Sequence, residues 1–221
     1  MQMNVRHAVE QQRLEAARYA LLRRLTLAMR HQLVVHLQPM GLITELLERR
    51  LQQPAPPLAQ IRDSMDKVHT LSRAAVQACL DVVSWLAPEP GDHVALQDGV
   101  RECVDLLRSS FSFRGFALAE HVDAAPQQVS RGALRQVLPA ALLALTDRAA
   151  SPADVILTAE PRGDAVALTL QLRQSAGEPG FPGNQPYRLI EWDDVELLAE
   201  AEGVRVHRME GAAQLVLDVL A

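Results

Sequence analysis

Hydrophobic residues recur at intervals of three and four along residues 21 to 51, a pattern typical of an amphipathic helix packed in a bundle. In a heptad frame, the a and d positions are mostly apolar, and further apolar residues follow at e. The a and d positions hold Leu22, Leu25, Met29, His36, Ile43, Leu46 and Arg50, and the e positions hold Leu33, Met40 and Leu47. We expect one long helix over residues 9 to 51 with a bend near Pro39, because proline removes a backbone donor.

A second stripe of this kind runs through residues 58 to 86. It comprises Ile61, Met65, Val68, Ala75, Cys79, Val82 and Leu86. Pro54, Pro56 and Pro57 lie between the two helical patterns and cannot continue a helix. Two long helices joined by a short turn predict an antiparallel hairpin. Each stripe is then only half covered, so we expect two copies to pair as a homodimeric four-helix bundle.

After a linker at residues 87 to 93, short strands alternate with helices. The pattern predicts strands near 94–96, 116–121, 154–159, 165–172, 204–209 and 213–220, and helices near 97–113, 132–150 and 193–202. Residues 175–186 are a glycine- and proline-rich loop. This order predicts one mixed sheet with helices on one face. The fold class is therefore α+β, with a helical hairpin at 1–88 and an α/β domain at 89–221.

Charge, apolar content and cysteine count exclude several classes of function. The net charge is −5 and no Lys/Arg cluster stands out, so the sequence predicts no nucleic-acid partner. No run of about 18 apolar residues occurs, so we expect no membrane span. Cys79 and Cys103 lie in apolar periodic segments, which predicts two buried thiols in a reducing compartment. The first twenty residues are too polar for a signal peptide, and the expected location is the cytoplasm.

Two histidines lie on the first predicted helix. His31 falls at position c, outside the apolar stripe, and His36 falls at position a, within it. At 100° per residue they are about 140° apart, so they cannot hold one metal ion together. The other five histidines are scattered without zinc-ligand spacing, and we expect no metal site. A lone surface histidine is most often merely solvated, so spacing alone gives His31 no role.

The chain resembles sensor histidine kinases, which join a dimerisation hairpin to an ATPase-like domain, and it also resembles stand-alone histidine phosphotransferases. Residues 30–51, RHQLVVHLQPMGLITELLERRL, look like the phosphoacceptor helix, with His31 at the phosphorylated position. Residues 94–118 look like the first strand, helix and strand of the ATPase-like domain. Residues 134–150, LRQVLPAALLALTDRAA, look like its nucleotide-site helix.

The residues that the resemblance assigns to ATP chemistry differ here. Gln32 stands where active kinases carry an acidic base after the histidine, and a neutral amide takes no proton. Ala140 and Ala144 stand where asparagines hold Mg²⁺ and phosphate, and Gln174-Ser175 replaces an adenine-binding aspartate. The stretch between Pro182 and Asp193 is short for a nucleotide lid. The resemblance therefore implies a degenerate ATPase-like domain that binds neither ATP nor a metal and has no cofactor.

Phosphotransfer without ATP remains open to such a chain, because a receiver domain can supply the phosphoryl group. Exposed residues around His31 would then form a docking patch for a response-regulator receiver: Leu27, Arg30, Val34, Val35, Gln38 and Leu42. An upstream histidine kinase is a further candidate partner. The apolar members of this patch have an alternative explanation, burial under the companion domain or the second protomer. Two other functions stay open: a non-catalytic adaptor or pseudokinase, and, less favoured, an active kinase.

Overall fold

The computed structural model describes residues 2–86, 91–122, 127–181 and 187–220, with side chains from His7 onward. The chain forms two compact units. One joins Met1–Thr26 to Pro88–Ala221, and the other is Leu27–Ala87. The division predicted from the sequence, at residue 88, differs in the placement of the first 26 residues, which group with the α/β part of the chain. The roles assigned to the two predicted domains stay predictions.

Two long helices form the hairpin. α1 spans Gln2–Leu51 and continues through Pro39, and α2 spans Leu58–Leu86 as predicted. Within the hairpin unit, α1 turns a half-buried stripe inward, including His36, Met40 and Ile43. Near the turn, the Arg50 guanidinium donates a 2.8 Å hydrogen bond to the Ser64 hydroxyl, which fastens the two helices together.

The inward face of α2 differs from the predicted stripe. Its buried residues are Ile61, Ser64, Ala75 and Ala78. Met65, Cys79 and Leu86, which the stripe assigned to the core, are exposed. The prediction that Cys79 is buried was therefore wrong, whereas Cys103 is buried as predicted. The small side chains face α1, and the large apolar ones next to them in sequence point outward.

The α/β part has seven strands and three helices among the described residues. The strands are β1 His93–Ala95, β2 Phe116–His121, β3 Gln128–Ser130, β4 Ala153–Arg162, β5 Ala165–Gln174, β6 Arg205–Met209 and β7 Ala212–Asp218. The helices are α3 Leu96–Phe113, α4 Arg131–Thr146 and α5 Trp192–Ala201. The α+β class predicted from the sequence is confirmed.

The main sheet has five strands in the order β2-β4-β5-β7-β6. β2 and β4 are parallel, and the remaining pairs are antiparallel, so the sheet is mixed as predicted. The prediction of a single sheet was incomplete, because β3 was not foreseen. β3 pairs with β1 in a separate two-stranded antiparallel sheet.

Helix α4 is the most buried of the three helices in the α/β part. Nearly all of its residues from Ala133 to Leu143 are inaccessible to solvent, in agreement with its almost wholly apolar sequence. It starts at Ser130, whose side chain accepts a hydrogen bond from the Ala133 amide, an ordinary N-cap. Helix α5 begins with a reciprocal cap between Glu191 and Asp194, so this acidic run is a helix start, as its sequence predicts.

Candidate functional site

His31 is exposed on α1. At 100° per residue, four of the predicted docking residues lie within about 40° of it around the helix. We call this set the histidine face: Leu27, His31, Val35, Gln38 and Leu42. All five side chains are exposed, and three are large and apolar. The helix thus presents an imidazole in the middle of an accessible apolar row.

The remaining predicted residues lie beside this face. Val34 and Arg30 are exposed, at about 60° and 100° from His31 around the helix. His36 is half-buried on the side that faces α2. The two histidines therefore differ in accessibility in the sense that their heptad positions predict, and only His31 is open to a partner.

A second exposed apolar row runs along α2, which we call the α2 stripe: Leu58, Met65, Val76 and Val83. These four positions lie within about 20° of one another around the helix. Leu80 and Cys79 flank the row and are also exposed. His69 and Ser72 lie on the same side between Met65 and Val76, so the row has two apolar ends and a polar middle. Exposed large apolar side chains on one side of a helix are typical of a protein interface.

The resemblance assigns Ala140, Ala144, Gln174 and Ser175 to nucleotide binding, and the two alanines carry no ligand oxygen on their side chains. Ala140 is fully buried, and Ala144 borders an open cleft of about 800 Å³. The Gln174 side-chain amide donates to the carbonyl of Ala150, and the Ser175 backbone donates to the carbonyl of Pro152. The cleft carries charges of both signs, including an Arg148–Glu191 ion pair of 2.5 Å.

The glycine-rich loop after β5 is fixed to the start of β2. Gly180 lies directly against the backbone of Arg114 and Gly115, where any Cβ atom would collide with main-chain atoms. The Phe181 amide donates to the Phe113 carbonyl, and the two aromatic rings stack with centroids 5.1 Å apart. In the part of this loop that the structure describes, residues 175–181, these contacts are made with the α3–β2 turn, and the Gly180 amide also donates to the Ser151 hydroxyl.

A buried cluster of ion pairs joins α1 to the end of α4. Arg24 donates two hydrogen bonds of 2.6 Å to the two carboxylate oxygens of Asp147. The exposed fractions of these side chains are 4% and 1%. Arg114 adds a 3.1 Å bond to the same carboxylate, and the Ile190 backbone amide adds another of 3.1 Å. Burial lowers the pKa of Arg114, although the Asp147 carboxylate acts in the opposite direction.

Sequence reasoning missed this cluster, because nothing local marks Arg24 or Asp147 as partners. Other α1 side chains reach the same part of the molecule. Arg18 donates to the side chains of Gln136 at 3.1 Å and Glu202 at 3.2 Å. The Arg23 guanidinium lies 4.3 Å from the centre of the Tyr187 ring. Residues 18–24 of α1 are therefore attached to the α/β part through several polar anchors.

Within the described ranges, no three histidine, cysteine or acidic side chains come together as metal ligands would. Over the same ranges, no helix is both long and apolar enough to cross a bilayer.

No protein-family model matches the chain, and no curated protein matches it. Solved structures that resemble it include histidine kinases. A histidine kinase from Burkholderia phymatum is 17% identical, over 91% of this chain and 98% of that one, with a TM-score of 0.44. The catalytic domain of histidine kinase ThkA is 13% identical, over 58% of this chain and 93% of that one, with a TM-score of 0.44.

ThkA in complex with the response regulator TrrA is 15% identical, over 97% of this chain and 65% of that one, with a TM-score of 0.43. These proteins are what the chain is similar to.

Proposed function

We propose that this protein is a histidine phosphotransferase of a two-component phosphorelay. Its His31 would accept a phosphoryl group from the aspartyl phosphate of one receiver domain and donate it to another. A neutral imidazole nitrogen attacks phosphorus, the bond from phosphorus to the aspartyl oxygen breaks, and the carboxylate leaves with the electron pair. The second ring nitrogen then loses its proton to solvent. The observation that carries this proposal is the exposed imidazole in the centre of the histidine face.

Geometry supports His31 as the carrier over His36. A receiver aspartate must bring phosphorus to within about 3–3.5 Å of the attacking nitrogen, which requires an accessible ring. Val35 and Leu42 lie on the same side of α1 as His31, so a docked receiver can bury them while it approaches the ring. Arg30, one residue earlier, lies near enough along the helix to help neutralise the transferred phosphate.

The donor set argues against ATP as the phosphoryl source. Mg²⁺ prefers oxygen ligands, and the methyl groups of Ala140 and Ala144 offer none. Gln32 lacks a carboxylate that could take the imidazole proton. An acyl phosphate on a receiver is a more reactive phosphoryl donor than ATP. The receiver also supplies the acidic pocket that surrounds the phosphoryl group. Transfer between proteins therefore needs mainly positioning, which the histidine face would provide.

The same proposal includes a homodimer formed through the α2 stripe. Four exposed apolar residues in a row, beside the two-helix seam, are what a partner hairpin would cover in a four-helix bundle. Cys79 flanks the stripe and is exposed, so a short bifunctional maleimide should link two chains through it. The variant Cys79→Ser should give no linked dimer. A wild-type chain that stays monomeric at micromolar concentration would contradict this arrangement.

The decisive experiment measures acid-labile phosphate after mixing with a phosphorylated receiver. Wild type and His36→Gln should carry label, and His31→Gln should carry none while keeping its fold, since a surface substitution changes stability by about 0.5 kcal/mol or less. If His31→Gln still carries label, the transfer role is wrong. A receiver that binds without labelling wild type would favour the adaptor function.

A matched pair of leucines tests the docking face. Leu42 and Leu51 are exposed to similar degrees, 63% and 57%. Leu42 lies on the histidine face, whereas Leu51 lies twenty residues beyond His31 at the end of α1. Leu42→Asp should raise the receiver concentration needed for half-maximal transfer by about tenfold or more, as expected when a central interface residue is lost. Leu51→Asp should leave it unchanged, and equal effects would argue against this docking surface.

A further inference from the structure

The strand β6 forms one edge of the main sheet. In the part of the chain that the structure describes, it pairs with β7 alone. Alternate residues of such an edge direct their backbone N–H and C=O groups away from the sheet, where another strand can bind them. Soluble proteins usually protect an edge with charged side chains, so the placement of the two arginines of β6 decides whether this edge is open.

Neither arginine protects the edge. Arg205 forms a 3.1 Å ion pair with Asp218 of β7, and the guanidinium of Arg208 lies 5.4 Å from the centre of the Trp192 ring. Both side chains are thus directed towards other parts of the same domain. β6 also contains no proline, and its five residues pair with β7 in unbroken register, without a bulge. A further strand can therefore pair with this edge.

A groove of about 430 Å³ lies beside this edge, between β6 and α5. The helix contributes Glu196, Ala199 and Glu200 to its lining, and the chain that follows contributes Val204 and Val206. Ala199 and Val204 are buried, and Val206 is half-buried. The groove therefore has an apolar floor along the whole of which an extended chain can lie while it pairs with β6.

The rim of the groove is acidic. Glu196 and Glu200 are exposed, and neither carboxylate makes an ion pair or a hydrogen bond within the described ranges. They are four residues apart on α5, which corresponds to about 6 Å along the helix. Alternate residues of an extended strand point to the same side and are about 6.6–6.8 Å apart. Two cationic side chains two residues apart on a docked strand therefore match the spacing of the two carboxylates.

We propose that the β6 edge and the groove beside it bind an extended segment of a partner protein that carries lysine or arginine at alternate positions. The segment adds a sixth strand to the main sheet through backbone hydrogen bonds to β6. The aliphatic stems of its basic side chains cover the apolar floor, and their charged ends reach Glu196 and Glu200. The β6 strand of a second copy does not fit this description, because Arg208 is its only cation on the side that faces the groove.

The test measures the fluorescence anisotropy of a labelled seven-residue peptide of alternating lysine and threonine as the full chain is added. Saturable binding with a dissociation constant below about 1 mM is expected. Replacing both groove carboxylates, by Glu196→Gln together with Glu200→Gln, should raise this constant by about tenfold or more, because two charge-assisted contacts are lost. The control Glu160→Gln changes an exposed glutamate on β4 and should leave the constant unchanged.

Methylation of the peptide backbone distinguishes strand pairing from simple charge attraction. In an extended peptide, the lysine amides point to one edge and the threonine amides point to the other. Only one of these edges faces β6 in the complex. Methylating the amides of one residue type should therefore abolish binding, whereas methylating those of the other type should leave binding intact.

Several results would overturn the proposal. Absence of saturable binding would do so directly, and so would an unchanged dissociation constant after both glutamate substitutions. Equal effects of the two methylated peptides would show that charge alone attracts the peptide. A chain that binds no peptide and stays dimeric in the α2-stripe variant Val76→Glu would assign the edge to a second copy. The test uses neither receiver nor phosphate, so its outcome is separate from the transfer role of His31.

Discussion

Replacing Asp147 by alanine would remove the carboxylate that two buried guanidinium groups share. The Arg24 and Arg114 side chains are 4% and 11% exposed, so neither can turn to water without a rearrangement. Breaking a buried pair by deleting one partner costs about 3–5 kcal/mol, and we expect Asp147→Ala to fall in this range. Arg24→Met should cost less, about 1–3 kcal/mol, because Asp147 keeps Arg114 and the Ile190 amide.

The change that Arg24→Met makes in the free energy of unfolding should have opposite signs in wild type and in the Asp147→Ala chain. In wild type, Arg24→Met removes two short hydrogen bonds and destabilises the fold. In the Asp147→Ala chain, the same change removes an unpaired buried charge and should stabilise the fold by about 1 kcal/mol or more. Urea unfolding measures both free energies, with Trp192 as the only fluorescent tryptophan after Trp85→Phe.

The neighbouring residue Arg148 supplies the control for this cycle. Its ion pair with Glu191 is as short, 2.5 Å, but the side chains are 73% and 45% exposed. Exposed pairs contribute about 0–1 kcal/mol, so Arg148→Met should barely shift the urea midpoint. If Arg24→Met lowered stability equally in both backgrounds, the coupling of Arg24 to Asp147 would be refuted.

Three smaller tests follow from burial and close packing. A thiol reagent should modify one cysteine per native chain, Cys79, and two after unfolding, as counted by absorbance. Gly180→Ala should lower the urea midpoint of unfolding, because the added Cβ atom would collide with backbone atoms. Gly41→Ala should raise the free energy of unfolding by about 0.5–1 kcal/mol, because Gly41 lies in a helix and has open space around it. Val76→Glu on the α2 stripe should shift light scattering towards monomer, and its exposed neighbour Gln77→Glu should not.

Most helices and strands could be predicted because their signals are local. The period of three and four and the prolines at 54, 56 and 57 define both long helices. The bounds of α2 and the end of α1 agree with the prediction, whereas α1 begins at Gln2 and not at residue 9. β3 was not predicted, because it has only three residues and it forms by pairing with β1, which is far away in the sequence. A strand of that length carries no periodicity of its own.

The inward face of α2 was misjudged for a physical reason. A prediction based on hydrophobicity places Met65 and Cys79, rather than Ser64 and Ala78, on the buried face of α2. Large apolar side chains usually gain the most free energy from burial. In the hairpin the small residues face α1, and the Ser64 hydroxyl is used by Arg50. The larger neighbours are then left exposed, in the positions where a second hairpin would cover them.

The alanine at position 140 is open to two explanations, which a single substitution separates. The resemblance treats Ala140 and Ala144 as lost asparagines, so that restoring them repairs a ligand set. The structure gives Ala140 a different role, because it is fully buried on α4. An asparagine there would place an amide in an apolar contact without a partner, at a cost of about 1–3 kcal/mol, in addition to overpacking.

Ala144 is the matched control, since it is half-exposed and borders the open cleft. Ala140→Asn should therefore lower the free energy of unfolding measurably, whereas Ala144→Asn should leave it within about 0.5 kcal/mol of wild type. Urea titration of the two variants and titration calorimetry with Mg-ATP decide the matter. Undiminished stability of Ala140→Asn together with ATP binding tighter than about 1 mM would show that the alanine is only a lost ligand. Destabilisation without binding would show that a small apolar side chain is required at this buried position.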